Sequence, residues 1–187
     1  MESPKRVRGF TLIELFVTIA VLAILVTLAV PAFNLAEQRR VVGAAEGALD
    51  QIQTARGEAI KQGRDVHFVV REDGDGSWCH GISTNPDCNC FITDADDPAA
   101  CTMTLAGDDA PVLRTATSDD ARNIGMTGAQ SLSLTFSHVR GTVAGGPQDL
   151  TFTSSPNGFE MQVRINAIGR PSACGTNRPM GAYDQCP

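Results

Sequence analysis

Six cysteines are the residues of this chain with the most evident chemistry, and they stand at Cys79, Cys88, Cys90, Cys101, Cys174 and Cys186. A cluster of thiolates can hold zinc, with His80 as a further ligand. However, the Cys88-x-Cys90 spacing is a poor match to the pairs found in zinc sites, which are separated by two to four residues. The alternative chemistry is oxidation, and we favour disulfides over zinc.

Disulfide pairing is only partly constrained by the spacing. Cys174 and Cys186 bracket a tail that contains Gly and Pro, and a bond between them is the favoured pair because it would close a short loop. A bond between Cys88 and Cys90 would be strained. Cys79 is therefore expected to pair with Cys88 or Cys90, and Cys101 with the other, and the sequence leaves both arrangements open.

Two acidic clusters, at 73–76 and 94–97, resemble parts of calcium loops. The first lacks the third ligand and the terminal Glu of such a loop. We interpret both as solvated turns and predict no metal site and no cofactor. The histidines, His67, His80 and His138, are scattered, and no Ser or Cys lies in a nucleophile motif. The sequence therefore predicts a protein that is not an enzyme.

Glu14 is the one charged residue in the segment 10–33, which reads FTLIELFVTIAVLAILVTLAVPAF. A helix of this length, with a rise of about 1.5 Å per residue, spans roughly 36 Å and can cross a hydrocarbon core of about 30 Å. A carboxylate in such a helix costs several kcal/mol unless it is paired, so Glu14 is a functional candidate.

Basic residues precede this segment, at Lys5, Arg6 and Arg8. Their position predicts a cytoplasmic N-terminus and export of all that follows, into a compartment where disulfides form. The chain has a net charge of −6. This acidic balance argues against a general nucleic-acid binder, which would be expected to be basic.

The residues Gly9-Phe10-Thr11-Leu12-Ile13-Glu14, preceded by a basic leader and followed by an apolar run, closely resemble the prepilin peptidase motif of type IV pilins and type II secretion pseudopilins. The resemblance implies cleavage between Gly9 and Phe10 and N-methylation of Phe10. It also implies that Glu14 meets the N-terminal amine of a neighbouring subunit during assembly. Pro31 stands where the family commonly has a proline, and we expect it to kink or loosen the helix.

The rest of the chain predicts an α+β head. Residues 34–62 carry an apolar stripe of helical period, and Gly63 is a plausible helix stop. Period-two patterns then predict antiparallel strands, whose apolar face packs on the helix. The segments are 66–70, 78–82, 90–93, 112–115, 132–136, 150–152 and 159–167, with a hairpin turn at 155–158.

The order of helix and sheet, with a last strand ending at Gly169-Arg170, is similar to the GspH/FimT group of minor pilins and pseudopilins. DNA-binding members of that group carry Gly-Arg-x-Arg near this point. Arg170 matches the first arginine, whereas Ser172 replaces the second. Arg164 and Arg178, on a mobile tail, are the candidate substitutes, and DNA binding is not favoured.

These observations together predict a pilin-like minor subunit in four parts: a leader (1–9), a transmembrane and assembly helix (10–33), an amphipathic helix (34–64) and a disulfide-pinned β-rich head (65–187). The expected function is incorporation into, or priming of, a type IV pilus. A GspH-type pseudopilin of type II secretion and a FimT-like DNA-binding pilin are the alternatives. The expected partners are other pilins or pseudopilins, prepilin peptidase, the assembly platform and the bacterial inner membrane, from which the subunit passes into a periplasmic or extracellular filament.

Overall fold

The computed structural model describes residues 10–105, 107–128, 131–144 and 147–187, without the side chains of residues 28–32. The chain divides into two units, Met1–Ala36 and Glu37–Pro187. One helix, α1 (Leu12–Gln62), begins in the first unit and ends in the second. It ends beside Gly63, whose positive φ of 64° is the usual conformation of a residue that follows a helix.

Within the second unit, α1 buries one stripe of side chains completely. Its members recur at steps of three and four residues, as one face of a helix requires, and are Val41, Ala45, Ala48, Ile52, Ala55 and Ala59. Four of the six are alanines. The short side chains allow the sheets to approach the helix axis closely, and the stripe forms one side of the core.

Eleven strands lie within the described ranges. They are β1 (Val66–Glu72), β2 (Trp78–Ser83), β3 (Thr102–Met103), β4 (Val112–Leu113), β5 (Thr115–Thr117), β6 (Ile124–Thr127), β7 (Ser131–Phe136), β8 (Val143–Ala144), β9 (Gln148–Ser154), β10 (Glu160–Ile165) and β11 (Pro171–Gly175). They form a five-stranded sheet in the order β5-β2-β1-β7-β8, a four-stranded sheet in the order β11-β10-β9-β6, and the β3-β4 pair. Every ladder is antiparallel, which confirms the predicted α+β class.

Trp78 joins the two larger sheets. Its indole Nε1 donates a hydrogen bond of 2.7 Å to the carbonyl oxygen of Ile124 on β6, and its ring meets Phe152 of β9 edge-on. A buried indole N–H without a partner would cost free energy, so this hydrogen bond fixes the orientation of the side chain. The indole ring itself fills space in the core. The core is therefore shared by α1 and both sheets.

The strand prediction is wrong at two places in the first half of the head. Residues 90 and 91 form a turn and residues 92 and 93 have no regular structure, because Cys90 is held in a disulfide and the Asn89 side chain accepts a hydrogen bond from the Phe91 amide. The segment 112–115, predicted as one strand, is two. β4 pairs with β3, and β5 pairs with β2.

The C-terminal region also differs from its prediction. The strand that was expected to reach Gly169-Arg170 ends at Ile165, and a turn leads into β11. Sequence propensity misses β11 because Pro171, Ser172 and Gly175 are poor strand formers; a proline is tolerated there as the first residue of an edge strand. The tail beyond β11 is held in place, because Met180 is fully buried and the Cys186 amide donates to the carbonyl oxygen of Gly175. The DNA-binding alternative, which placed Arg178 on a mobile tail, does not agree with this arrangement.

Two turns of the head abut on α1. The turn 137–141 joins β7 to β8, and the turn 166–170 joins β10 to β11. A Cβ placed on Gly169 would lie 2.7 Å from the carbonyl oxygen of Gly141. Gly169 also has a positive φ of 76°, so both backbone conformation and space require glycine at this contact.

We predict that Gly169→Ala lowers the free energy of unfolding by about 3 kcal/mol, from left-handed backbone strain plus the clash with Gly141. Gly158→Ala is the matched control, because Gly158 also has a positive φ, of 61°, but has no atom within 4 Å of a built Cβ. Its cost should be only about 1 kcal/mol. Urea denaturation of the full-length protein in detergent, followed by Trp78 fluorescence, measures both. Equal costs would show that the two turns are not in tight contact.

His80 is a buried ionisable residue in the core. Its Nδ1 lies 2.8 Å from Oε1 of Gln51 on α1, and its ring stacks on Trp78. Burial lowers the pKa of His80 to about 4, because the charged imidazolium would lose its solvation. The folded head therefore holds a neutral imidazole at pH values where an unfolded chain would protonate it.

Since the pKa of His80 is lower in the folded state than in the unfolded state, stability is fully present above pH 6.5 and falls as the pH drops. We expect the free energy of unfolding to decrease by about 2 kcal/mol between pH 6.5 and 5 from this residue. Hydrogen bonds lower the pKa values of Glu58, Asp65, Asp75 and Asp108, so these carboxylates titrate below this window and the change reports mainly on histidine. His80→Gln should be less stable at pH 7 and show a shallower dependence on pH. An unchanged slope in denaturation titrations of His80→Gln would contradict a neutral buried imidazole.

Candidate functional site

The N-terminus of α1 is capped by its own sequence. Oγ1 of Thr11 accepts a hydrogen bond of 3.3 Å from the backbone N–H of Glu14, and the Leu15 N–H donates to the carbonyl oxygen of Thr11. Thr-x-x-Glu is the pattern of a capping box. Glu14 thereby lies in the first turn, where a negative charge interacts favourably with the helix dipole.

Glu14 differs from the other polar residues of the apolar segment. The hydroxyls of Thr18 and Thr27 each donate a hydrogen bond of 2.8 Å to a carbonyl oxygen three residues earlier. These bonds satisfy the threonines within the helix itself. The carboxylate of Glu14 has no ion pair or hydrogen bond within the part of the chain that the structure describes. It remains available to a group from outside the chain.

The segment around Glu14 is apolar on all sides. Its large side chains are about half exposed or more, with Phe10 84% exposed, and they are Phe10, Leu12, Ile13, Leu15, Phe16, Val17, Ile19, Val21, Leu22, Ile24, Leu25, Val26 and Phe33. A continuous apolar surface of this extent marks an interaction with lipid or with other protein.

Three sequence predictions fall outside the described residues. These are the leader 1–9, Gly9 as the residue before the cut, and a kink caused by the side chain of Pro31. Among the residues that are described, no helix is long and apolar enough to cross a membrane.

All six cysteines are in disulfides: Cys79–Cys90, Cys88–Cys101 and Cys174–Cys186. The first two bonds interleave, and they bury a small second cluster together with Val69 of β1. They hold a loop with little regular structure against the five-stranded sheet. The third bond ties the C-terminal tail to β11. With every thiol oxidised, the cysteines offer no thiolate for zinc.

The acidic turns are built by their own side chains. Carboxylate oxygens of Asp73, Asp75, Asp94 and Asp97 accept hydrogen bonds from backbone N–H groups one or two residues further along the chain. Such bonds stabilise turns. Across the described ranges, no group of three or more His, Cys, Asp or Glu residues is arranged to hold a metal ion.

The histidines lie apart and have structural partners. Nδ1 of His67 lies 3.0 Å from the Thr135 hydroxyl on the neighbouring strand, and Nδ1 of His138 lies 2.7 Å from a carboxylate oxygen of Asp65. His80 is the core residue described above. Partial burial lowers the pKa of His67, so its imidazole loses charge more readily.

The structure does not bring together the three arginines considered for DNA binding. Arg170 lies at the turn beside α1, whereas the guanidinium of Arg178 lies 4.4 Å above the ring of Phe159, at the other end of β10. The length of that strand separates them, about 20 Å. Arg164 donates to Oε1 of Gln162 at 2.8 Å, on the outer face of the same strand.

Two further arginines, Arg56 on α1 and Arg140 in the turn 137–141, were missed from the sequence. Nε of Arg56 donates a hydrogen bond of 2.9 Å to the carbonyl oxygen of Gly141, and Arg140 precedes that glycine. Arg56 and Arg170 line the same shallow groove of about 460 Å³. No sequence spacing links positions 56, 140 and 170, because only the packing of the two turns on α1 brings them together.

Comparisons with known proteins agree with this architecture. The family model described as type II transport protein GspH matches residues 44–169, about two-thirds of the chain. The prokaryotic N-terminal methylation motif matches residues 4–30. No curated protein matches the chain.

Two solved structures of the type IV minor pilin FimU from Pseudomonas aeruginosa are similar to the chain. The crystal form in space group P21 has 18% sequence identity and a TM-score of 0.47, and it covers 75% of this chain and 96% of FimU. The form in space group P65 has 21% sequence identity and a TM-score of 0.43, and the match covers 72% of this chain and 96% of the FimU chain.

The family match rests on the region that folds as the head, and the methylation motif rests on the segment that carries Glu14. Both indicate a membrane-anchored pilin-type subunit that assembles with other pilins into a filament. Such proteins are structural subunits and not enzymes. The chain therefore belongs to the GspH family of minor pilins and pseudopilins.

Proposed function

We propose that this protein is a minor pilin of a type IV pilus, cleaved between Gly9 and Phe10 by prepilin peptidase and N-methylated at Phe10. The observation that carries the proposal is the methylation motif over residues 4–30, which includes the start of a helix whose apolar side chains are exposed on all sides. A leader that is removed before the apolar segment leaves that segment on the mature protein. It is then available as anchor and as assembly surface.

The segment 10–33 holds the subunit in the bacterial inner membrane with its leader in the cytoplasm and its head outside. The assembly platform then moves it into the filament. Two observations support this order: the basic residues before Gly9 favour a cytoplasmic N-terminus, and three disulfides in the head suit an oxidising compartment.

Glu14 pairs with the N-terminal amine of Phe10 on a neighbouring subunit. The new amine is created only by cleavage, and it lies close to the position of Glu14 along the chain. The carboxylate is unpaired within the described chain, although its helix is apolar on all sides. An ion pair between subunits would offset the cost of placing this charge among packed apolar helices.

A type II secretion pseudopilin is the second candidate, and the description of the matching family favours it. Both candidates use the same processing and the same assembly helix. Isolation of surface filaments separates them: a minor pilin co-purifies with sheared type IV pili. A pseudopilin is absent from sheared pili, and its deletion blocks secretion of folded exoproteins.

We predict that Gly9→Val blocks processing, because a branched side chain at the residue before the cut prevents the peptidase from positioning the bond. The precursor should accumulate and migrate above the mature form on an immunoblot. Gly43→Val is the control, since Gly43 has open space around a built Cβ and lies far from the cut. Normal processing of Gly9→Val would refute the cleavage site.

We predict that Glu14→Ala is processed normally but enters filaments about tenfold less than the native chain, because the ion pair with the neighbouring amine is lost. The measurement is the amount of protein in sheared filaments relative to that in membranes. Asp50→Ala, which removes an exposed carboxylate elsewhere on α1, should have no effect. Equal incorporation of Glu14→Ala and the native chain would remove the pairing role.

A further inference from the structure

The two turns beside α1 form a surface that has no role in the proposed assembly through the N-terminal segment 10–33. We call it the two-turn surface and define it by three aliphatic and three cationic residues: Ile60, Val139, Ile168, Arg56, Arg140 and Arg170. All lie in the unit Glu37–Pro187.

Backbone contacts fix the position of these residues. The Arg56 guanidinium donates to the carbonyl oxygen of Gly141, and a Cβ on Gly141 would lie 2.9 Å from Cδ1 of Ile60. The same carbonyl oxygen is the atom that excludes a side chain at Gly169. The side chain of Asn166 accepts hydrogen bonds from the backbone N–H groups of Ile168 and Arg170, so the second turn is also internally braced. These contacts hold both turns in fixed positions beside α1.

The aliphatic residues of this surface are exposed to an unusual degree. Val139 is 72% exposed, Ile168 58% and Ile60 53%. Among the described residues of the head, Val112 is the only other large apolar side chain classed as exposed. Single exposed apolar residues are ordinary, but three on two touching turns and the adjoining part of α1 indicate an interaction site. Arginine is enriched in protein interfaces and among the residues that anchor them.

The arginines of the surface lack carboxylate partners in the described chain. Arg56 is bonded to a backbone carbonyl, and neither Arg140 nor Arg170 has an ion pair. The nearby Asp65 already accepts hydrogen bonds from both the backbone and the ring of His138. A cluster of three cations on a chain of net charge −6 is therefore available to external carboxylates.

The opposite end of the five-stranded sheet carries the complementary charge. β1 begins beside the two-turn surface, since Val66 pairs with Phe136, and it ends at the turn that holds Asp73 and Asp75. Seven residues of strand separate the two ends by about 23 Å. Hydrogen bonds from the backbone lower the pKa of Asp75, so this exposed carboxylate is charged. The head thus carries arginines without carboxylate partners beside one end of this sheet and the exposed carboxylates of Asp73 and Asp75 at the other.

We propose that the two-turn surface binds the acidic β1–β2 end of an adjacent pilin-family head. Subunits of one polarity that stack along a filament would bring unlike ends together. Such a heterologous contact repeats without closing, as a filament requires. The aliphatic residues would be buried in the contact. The arginines would pair with carboxylates of the neighbouring head and so fix how the two heads are aligned. This inference rests on the proposed assembly into a filament, but it concerns the head and not the N-terminal helix.

Photocrosslinking of the full-length protein in cells tests the contact directly. p-Benzoylphenylalanine placed at position 139, which is exposed, should form an adduct with another pilin-family subunit in sheared filaments. Peptide mapping should locate the adduct at a carboxylate-bearing turn. The same probe at position 112, an exposed apolar site outside the surface, should not form that adduct. An adduct with DNA or lipid only, or none at all in filaments that contain the protein, would overturn the proposal.

Charge reversal gives a second test. The double variant Arg140→Glu with Arg170→Glu should enter filaments about tenfold less than the native chain, because like charges would then face each other. Arg122→Glu, at an exposed arginine outside the surface, is the matched control and should be incorporated normally. Thermal unfolding verifies that the double variant is folded.

The two levels of the hypothesis fail differently. Normal incorporation of the folded double variant would refute the contact and leave the filament function intact. Absence of the native chain from every filament would refute the proposed function, and the contact with it.

Discussion

The fold depends on one packing constraint, which is that α1 presents a narrow stripe of small side chains to two sheets at once. Alanine at four of the six buried positions keeps the helix surface low enough for β-strands to lie close on it. Larger residues there would hold the sheets away from each other and would separate Trp78 from Ile124 and Phe152. The cost of overpacking a core is typically 1–3 kcal/mol for each misfit. The small side chains of this stripe therefore determine how closely both sheets pack on α1.

The two turns beside α1 follow from the same constraint. One follows β7 and the other follows β10, and Arg56 of α1 bonds to the first while Arg170 of the second lines a groove with α1. Their contact is backbone to backbone at Gly141 and Gly169, with the Arg56 guanidinium bridging to the helix. Residues that are far apart in sequence consequently share the two-turn surface. Two short turns are enough to form it, and no long loop is needed.

Much of this architecture could be predicted from the sequence, and the reasons are local. The periodicities of three to four and of two residues identified the head portion of α1 and the strands β7, β9 and β10, because each of these buries one face. β1 was identified by its run of β-branched and aromatic residues, although it buries side chains on both faces. The separation into two sheets has no local signal, and β11 was missed because its residues suit strands poorly. Glu14 could be recognised because a single charge in an apolar run stands out. The two-turn surface could not, since its residues come together only through tertiary contacts.

Two of the charged features that lack an ion pair in the described chain bear on assembly, and they lie on different parts of it. One is the carboxylate of Glu14, among apolar side chains that are all exposed. The other is the cluster of arginines on a head that is otherwise acidic. A soluble monomer would gain nothing from either arrangement, because an apolar surface and an unbalanced charge both favour association. In the filament that we propose, each group would meet its counterpart from another subunit, and assembly would supply the interactions that are absent from the folded chain.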